Sequence, residues 1–100
     1  MNRSSADWMR SDSFAVFRDA AVAAGFDEAL IRDWASGQIV EAHAHPFDAE
    51  AVVVEGEMWL SDGENTRHLL PGDTFALPKG TSHSERYGPT GATYWVARRG

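Results

Sequence analysis

The chain has 100 residues, with nine Lys plus Arg against fifteen Asp plus Glu and a formal charge of −6, which favours a single domain and argues against a phosphate-binding surface for nucleic acid. It has no cysteine, so disulfides and thiolate ligands are excluded and any metal must be held by nitrogen and oxygen. No apolar run approaches the roughly 20 residues that span a bilayer, and the first dozen residues lack the apolar centre of a signal peptide, so the expectation is a cytoplasmic protein with no membrane partner.

Residues 1–10 are largely polar with one Trp8, and 1–12 read as an N-terminal arm, loose or lying across a neighbouring surface. Over 13–24 the pattern turns helical. Phe14, Phe17, Ala21 and Ala24 fall on one stripe, Ser11 or Asp12 is placed to cap the first turn, and Gly25 to stop the last. Beyond Gly25 the chain reads as short strands, over 29–35, 39–45, 51–55, 58–61, 66–69, 74–77, 82–87 and 92–98. They are parted by the turn signals Ser36-Gly37, Pro46, Asp62-Gly63, Leu70-Pro71-Gly72-Asp73, Pro78-Lys79-Gly80 and Gly88-Pro89-Thr90-Gly91. Seven or eight such strands make an all-β domain over 13–100, a small antiparallel barrel or jelly roll with one helix at its start.

His43 and His45 stand two apart on an extended stretch, so both imidazoles project from one face. A third histidine, His83, follows the Pro78-Lys79-Gly80 turn, and neighbouring strands of a small barrel can bring it alongside. Glu85 and Tyr87 share the face of His83. His68 lies between Arg67 and Leu69 and reads as an ordinary hydrogen-bonded or exposed residue. The four tryptophans, Trp8, Trp34, Trp59 and Trp95, read as core or interface residues.

These residues resemble the two motifs of the cupin superfamily, in particular its small single-domain, cupin 2 type members. The first motif places a glycine, His-x-His, a glutamate and a second glycine in order, matched by Gly37, His43, His45, Glu50 and Gly56. Only five residues separate Glu50 from Gly56 where the family has six, so counting back from the glycine puts Ala49 in the carboxylate's place. The second motif is matched by Gly72, Pro78, Gly80 and His83, with Tyr87 where the family has asparagine.

The resemblance implies a double-stranded β-helix, or jelly roll, enclosing one divalent transition metal (Fe, Mn, Ni, Cu or Zn) held by His43, His45, His83 and Glu50. Asp48 and Glu85 are rival carboxylates for the fourth position, and Glu85 with Tyr87 is assigned to substrate contact or proton transfer. Two function classes stay open: a metal-dependent oxygenase or isomerase acting on a small molecule, and a binding module of sensor type without turnover. A domain this small with four tryptophans is also expected to form a homodimer.

Overall fold

Two long bent strands carry the architecture, and each serves both layers of the molecule in turn. The computed structural model describes residues 7–100. In chain order it contains a 3-10 turn Asp7–Met9, helix α1 (Phe14–Ala23), and strands β1 (Glu28–Trp34), β2 (Ile39–His43), β3 (Asp48–Asp62), β4 (Asn65–Leu69), β5 (Thr74–Leu77) and β6 (His83–Arg99). All pairings are antiparallel, in the order β1-β6-β3-β4, with β2 on β6 and β5 on β3. The first half of β3 runs beside the last part of β6 and is flanked by β5 and β1. Its second half runs beside the start of β6 and is flanked by β4 and β2. The result is a jelly roll whose sheet is not closed into a barrel.

Runs 51–55 and 58–61 are thus one strand, and so are 82–87 and 92–98. The glycines between them bend the strands without breaking them. The β3–β6 register shifts at Val53/Glu55 and again at Gly56/Met58, marking a bulge. Gly56 has φ +76°, and a Cβ added there would lie 2.1 Å from the Gly91 carbonyl oxygen, so only glycine lets the two strands cross at this bend.

The alternation of side chains builds two apolar interiors. Ala49, Ala51, Val53, Met58, Leu60, Leu69, Phe75, Leu77, Tyr87, Ala92, Tyr94 and Val96 fill the space inside the roll. Val52 and Ala97, from the opposite face, join Phe17, Ala21, Phe26 and Met9 beneath α1. The helix starts at Ser13, whose Oγ accepts the Val16 N–H at 3.2 Å, so the cap falls after Ser11 and Asp12. It ends on Gly25 (φ +97°): the Gly25 N–H donates to the Val22 carbonyl and the Phe26 N–H to that of Ala21. This paired closure also tucks Phe26 into the outer cluster.

Of the stretch read as an arm, residues 1–6 lie outside the described residues. Trp8 and Met9 belong to the fold: Met9 is buried and Trp8 stacks on Phe17 with ring centroids 5.5 Å apart. Among the described residues no helix is long and apolar enough to cross a membrane.

Candidate metal centre

The three histidines reach one point by three different routes. His43 ends β2 and is paired directly with His83, the first residue of β6. His45 lies just past the end of β2, where its carbonyl accepts the Gly80 N–H at 2.9 Å, tying it to the Pro78-Lys79-Gly80 turn that leads into β6. The ring of His45 stacks on Phe47 at 4.7 Å with an interplanar angle of 16°. Ring centroids are 4.3 Å apart for His43 and His83, 4.7 Å for His43 and His45, and 5.2 Å for His45 and His83. One nitrogen from each lies within 4.8 Å of the others. Ligands bonded to one ion at about 2.1 Å are at most about 4.2 Å apart, so small ring movements suffice to close on a metal.

Two of the rings have their tautomers set by the backbone. His43 Nδ1 lies 2.7 Å from the Glu41 carbonyl oxygen, and His83 Nδ1 lies 3.1 Å from that of Thr81. A carbonyl only accepts, so in a neutral ring Nδ1 carries the proton and Nε2 keeps its lone pair for a ligand. Burial holds the His45 imidazolium below its ordinary pKa of 6.5, and the neighbouring His43 and His83 push in the same direction against the opposing pull of Glu85. Burial and the two neighbouring imidazoles thus favour the neutral ring that a metal requires, and Glu85 opposes them.

The predicted carboxylate is not among them. Glu50 is the residue on β3 between Ala49 and Ala51, both of which face inward, so its side chain leaves by the outer face that Val52 and Val54 present to the helix. There it is half-buried in a hollow with Asp48, Pro78 and Arg99. Asp48 shares that hollow, and its Oδ1 accepts the Lys79 N–H at 2.7 Å. The one-residue shortening between Glu50 and Gly56 accounts for both placements, because a single step along a strand exchanges its faces.

Glu85, in contrast, is 7% exposed and turns its Oε2 to within 3.3 Å of His83 Nε2 and 3.9 Å of His43 Nε2. Tyr87 donates its hydroxyl hydrogen to Glu85 Oε1 and stacks on Trp34 with centroids 5.2 Å apart. Burial, reinforced by Tyr94 and Glu85, drives the Tyr87 phenol far above its ordinary range, and burial followed by the charge of Glu85 pushes Tyr94 up to about 12. Both phenols therefore stay protonated and serve as donors.

A narrow cavity of about 50 Å³ opens onto this group, lined by Phe47, Phe75, Leu77 and Val96 and by two arginines, Arg32 and Arg98. The sequence reading passed over both arginines. Their signal is alternation: Arg32 sits between the inward Leu30 and Trp34 in steps of two, and Arg98 continues the inward series Tyr94, Val96. Arg32 lies over the Trp34 ring at 4.9 Å, and Arg98 over Phe47 at 4.7 Å while pairing with Glu28 at 2.6 Å. His68 stands apart on the surface, stacked on Trp59 and 2.6 Å from Glu57 Oε2.

The family model described as a cupin domain matches residues 30–94, which span the three histidines, Glu85 and Tyr87 but stop short of Val96 and Arg98. Among solved structures, the chain is similar to a protein of unknown function from Rhizobium leguminosarum bv. viciae 3841, at 24% identity over 72% of this chain and 68% of that one, with a TM-score of 0.68. It is similar to KdgF from a Halomonas species at 24% identity over 73% and 69% of the two chains, TM-score 0.64. An RmlC-like cupin from Shewanella frigidimarina NCIMB 400 shares 27% identity over 71% and 63%, TM-score 0.64. No curated protein matches the chain by sequence. The structural likenesses support the jelly-roll fold and carry no reaction with them.

Proposed function

The chain belongs to the cupin domain family, and from that premise we propose that it uses His43, His45 and His83 to hold one divalent transition metal, with which it acts on a small anionic molecule. The observation that carries this reading is the convergence of three imidazole nitrogens within 4.8 Å, two of them with Nδ1 turned to a backbone carbonyl. An all-nitrogen triad of this kind suits iron, manganese, nickel, copper and zinc. A bound ion would supply Lewis acidity and open coordination positions, the shared requirement of oxygenase and isomerase chemistry.

The chain's own residues define what reaches the centre. A cavity of about 50 Å³ has room for about three to five water-sized particles at about 10–15 Å³ each. The molecule it admits is therefore small, or enters only by one end. Phe47, Phe75, Leu77 and Val96 exclude water from its flanks, while Arg32 and Arg98 favour a carboxylate or another oxyanion. Tyr94, held protonated, provides a hydrogen-bond donor on the same wall.

The test is metal content by mass spectrometry on untagged protein beside a His43→Ala, His83→Ala double variant. Near-stoichiometric metal in the parent that disappears from the variant is the expected result. Metal absent from both after reconstitution overturns the reading. The tightness of the cavity favours a second reading, a binding module without turnover. Steady oxygen consumption by the iron-loaded protein with small enolic acids separates an oxygenase from that module, for which the same acids raise the melting temperature and are recovered unchanged.

A further inference from the structure

Around Glu85 the structure gathers three atoms able to bind one metal ion. The Nδ1 positions of His43 and His83 face carbonyl oxygens, so in neutral rings both Nε2 atoms carry lone pairs. The two Nε2 atoms lie 3.9 and 3.3 Å from a carboxylate oxygen, Glu85 Oε2. Two imidazole nitrogens and a carboxylate oxygen gathered at these separations make a donor set that one cation can bridge. Among the described residues, the ion-pair partners of Glu85 are these two histidines, with no lysine or arginine nitrogen within 4 Å. Its second oxygen, Oε1, is engaged by the Tyr87 hydroxyl, which leaves Oε2 as the free donor atom.

We infer that Glu85 is the carboxylate that completes the metal site, donated from β6 instead of β3 and held in place by Tyr87. The inference rests on the three-histidine reading above and deepens it. It accounts together for the two places where the chain departs from the motifs of its family. The acid of the first motif has slipped out of register, so that Glu50 leaves by the outer face. The asparagine of the second is replaced by a tyrosine whose hydroxyl grips the substitute. Glu85 lies two residues after His83 on the same strand and the same face, which fixes its carboxylate relative to one ligand through rigid backbone. Trp34, stacked on the Tyr87 ring, keeps the phenol from swinging away. Tyr87 is a positioning residue here, acting on the ion only through Glu85.

The experiment uses cobalt(II) as the probe on the full chain, with affinity read by chelator competition and the donor set read from the visible absorption of the bound ion. Glu85→Gln is expected to weaken cobalt binding at least about tenfold and to change the spectrum, and Tyr87→Phe to change the spectrum with a smaller loss of affinity. Glu50→Gln and Asp48→Asn are expected to match the parent in both. Should Glu85→Gln fail to fold, Glu85→Asp keeps the charge but withdraws the oxygens by one methylene, and is expected to show the same weakening and spectral change. An unaltered affinity and spectrum in the folded Glu85 variant, with binding abolished by His83→Ala, overturns the inference alone. Cobalt binding that survives His83→Ala overturns the three-histidine reading beneath it.

Discussion

From Ala49 to Val54 a single strand serves two interiors. Ala49, Ala51 and Val53 face the inside of the roll, where the floor is apolar but one end gathers three histidines, a buried glutamate and two phenols. Val52 and Val54 face outward, where α1 lays Phe14, Phe17 and Ala21 against them with Trp8, Phe26 and Trp95, and the Arg99 guanidinium closes over Phe26 at 4.6 Å. The two interiors bury similar kinds of apolar surface, but among the described residues the fully buried ionisable side chains, His83 and Glu85, belong to the inner one. Buried ionisable groups cost stability unless paired, so the inner face is the costlier of the two to fold. The outer face offsets that cost with aromatic packing, including the edge contact of Phe14 and the tilted contact of Phe17 on Trp95 at 5.9 and 5.7 Å.

If the inner face holds a metal through imidazole, acid must release it, and this is the largest effect expected. Each ligand has to be neutral, so protons compete with the ion at every histidine. The lowered pKa of His45 keeps its ring neutral to a lower pH than an ordinary histidine. Metal affinity therefore falls as the pH drops through the histidine range, by up to about a thousandfold per pH unit once three protons must be displaced. Equilibrium dialysis against cobalt between pH 7.5 and about 5 measures it. A slope of zero would remove the histidines from the site.

The outer face should answer to packing alone. Phe17 is fully buried between Trp8, Phe14 and Trp95. Its replacement by alanine is expected to cost about 3–5 kcal/mol, a fall of at least about 12 °C in melting temperature for a domain of about 100 residues. Below its transition the variant should bind cobalt with the parent's affinity. A folded Phe17→Ala protein with weakened binding would mean that strain crosses β3 from one face to the other, and the division drawn above would fail.

What the sequence made legible divides along the same line. The histidines announced themselves because two-residue spacing and a motif glycine depend only on local backbone, and the helix stop at Gly25 is equally local. The continuity of β3 and β6 was hidden because Gly56 and Gly91, with φ of +76° and +72°, look the same in sequence whether they end a strand or bend it. Which way Glu50 points depends on the position of that bend, a tertiary fact, although the short count to Gly56 hinted at it. The N-terminal turn was unreadable for a different reason: three residues carry no periodicity, and Trp8 and Met9 are ordered by the helix they pack on.

The smallest effect concerns Glu50, the acid on the wrong side of β3 for the metal. Burial raises its pKa above the ordinary 4.5, with Asp48 adding to the rise and Arg99 opposing it. A carboxyl whose folded-state pKa is raised contributes its stability in full below the unfolded value and loses it as the pH climbs through the folded one. At neutral pH the ionised Glu50 is thus a mild liability of the outer face. Glu50→Gln should raise the melting temperature at pH 7 by no more than about 4 °C, the scale of a half-exposed substitution. The difference should shrink as the pH falls below 4.5, where the parent's own carboxyl is protonated in both states. Thermal melts at pH 7 and about pH 4 decide it. A variant less stable than the parent at pH 7, and weaker for cobalt as well, would show Glu50 reaching through to the inner face and would return the fourth ligand to β3.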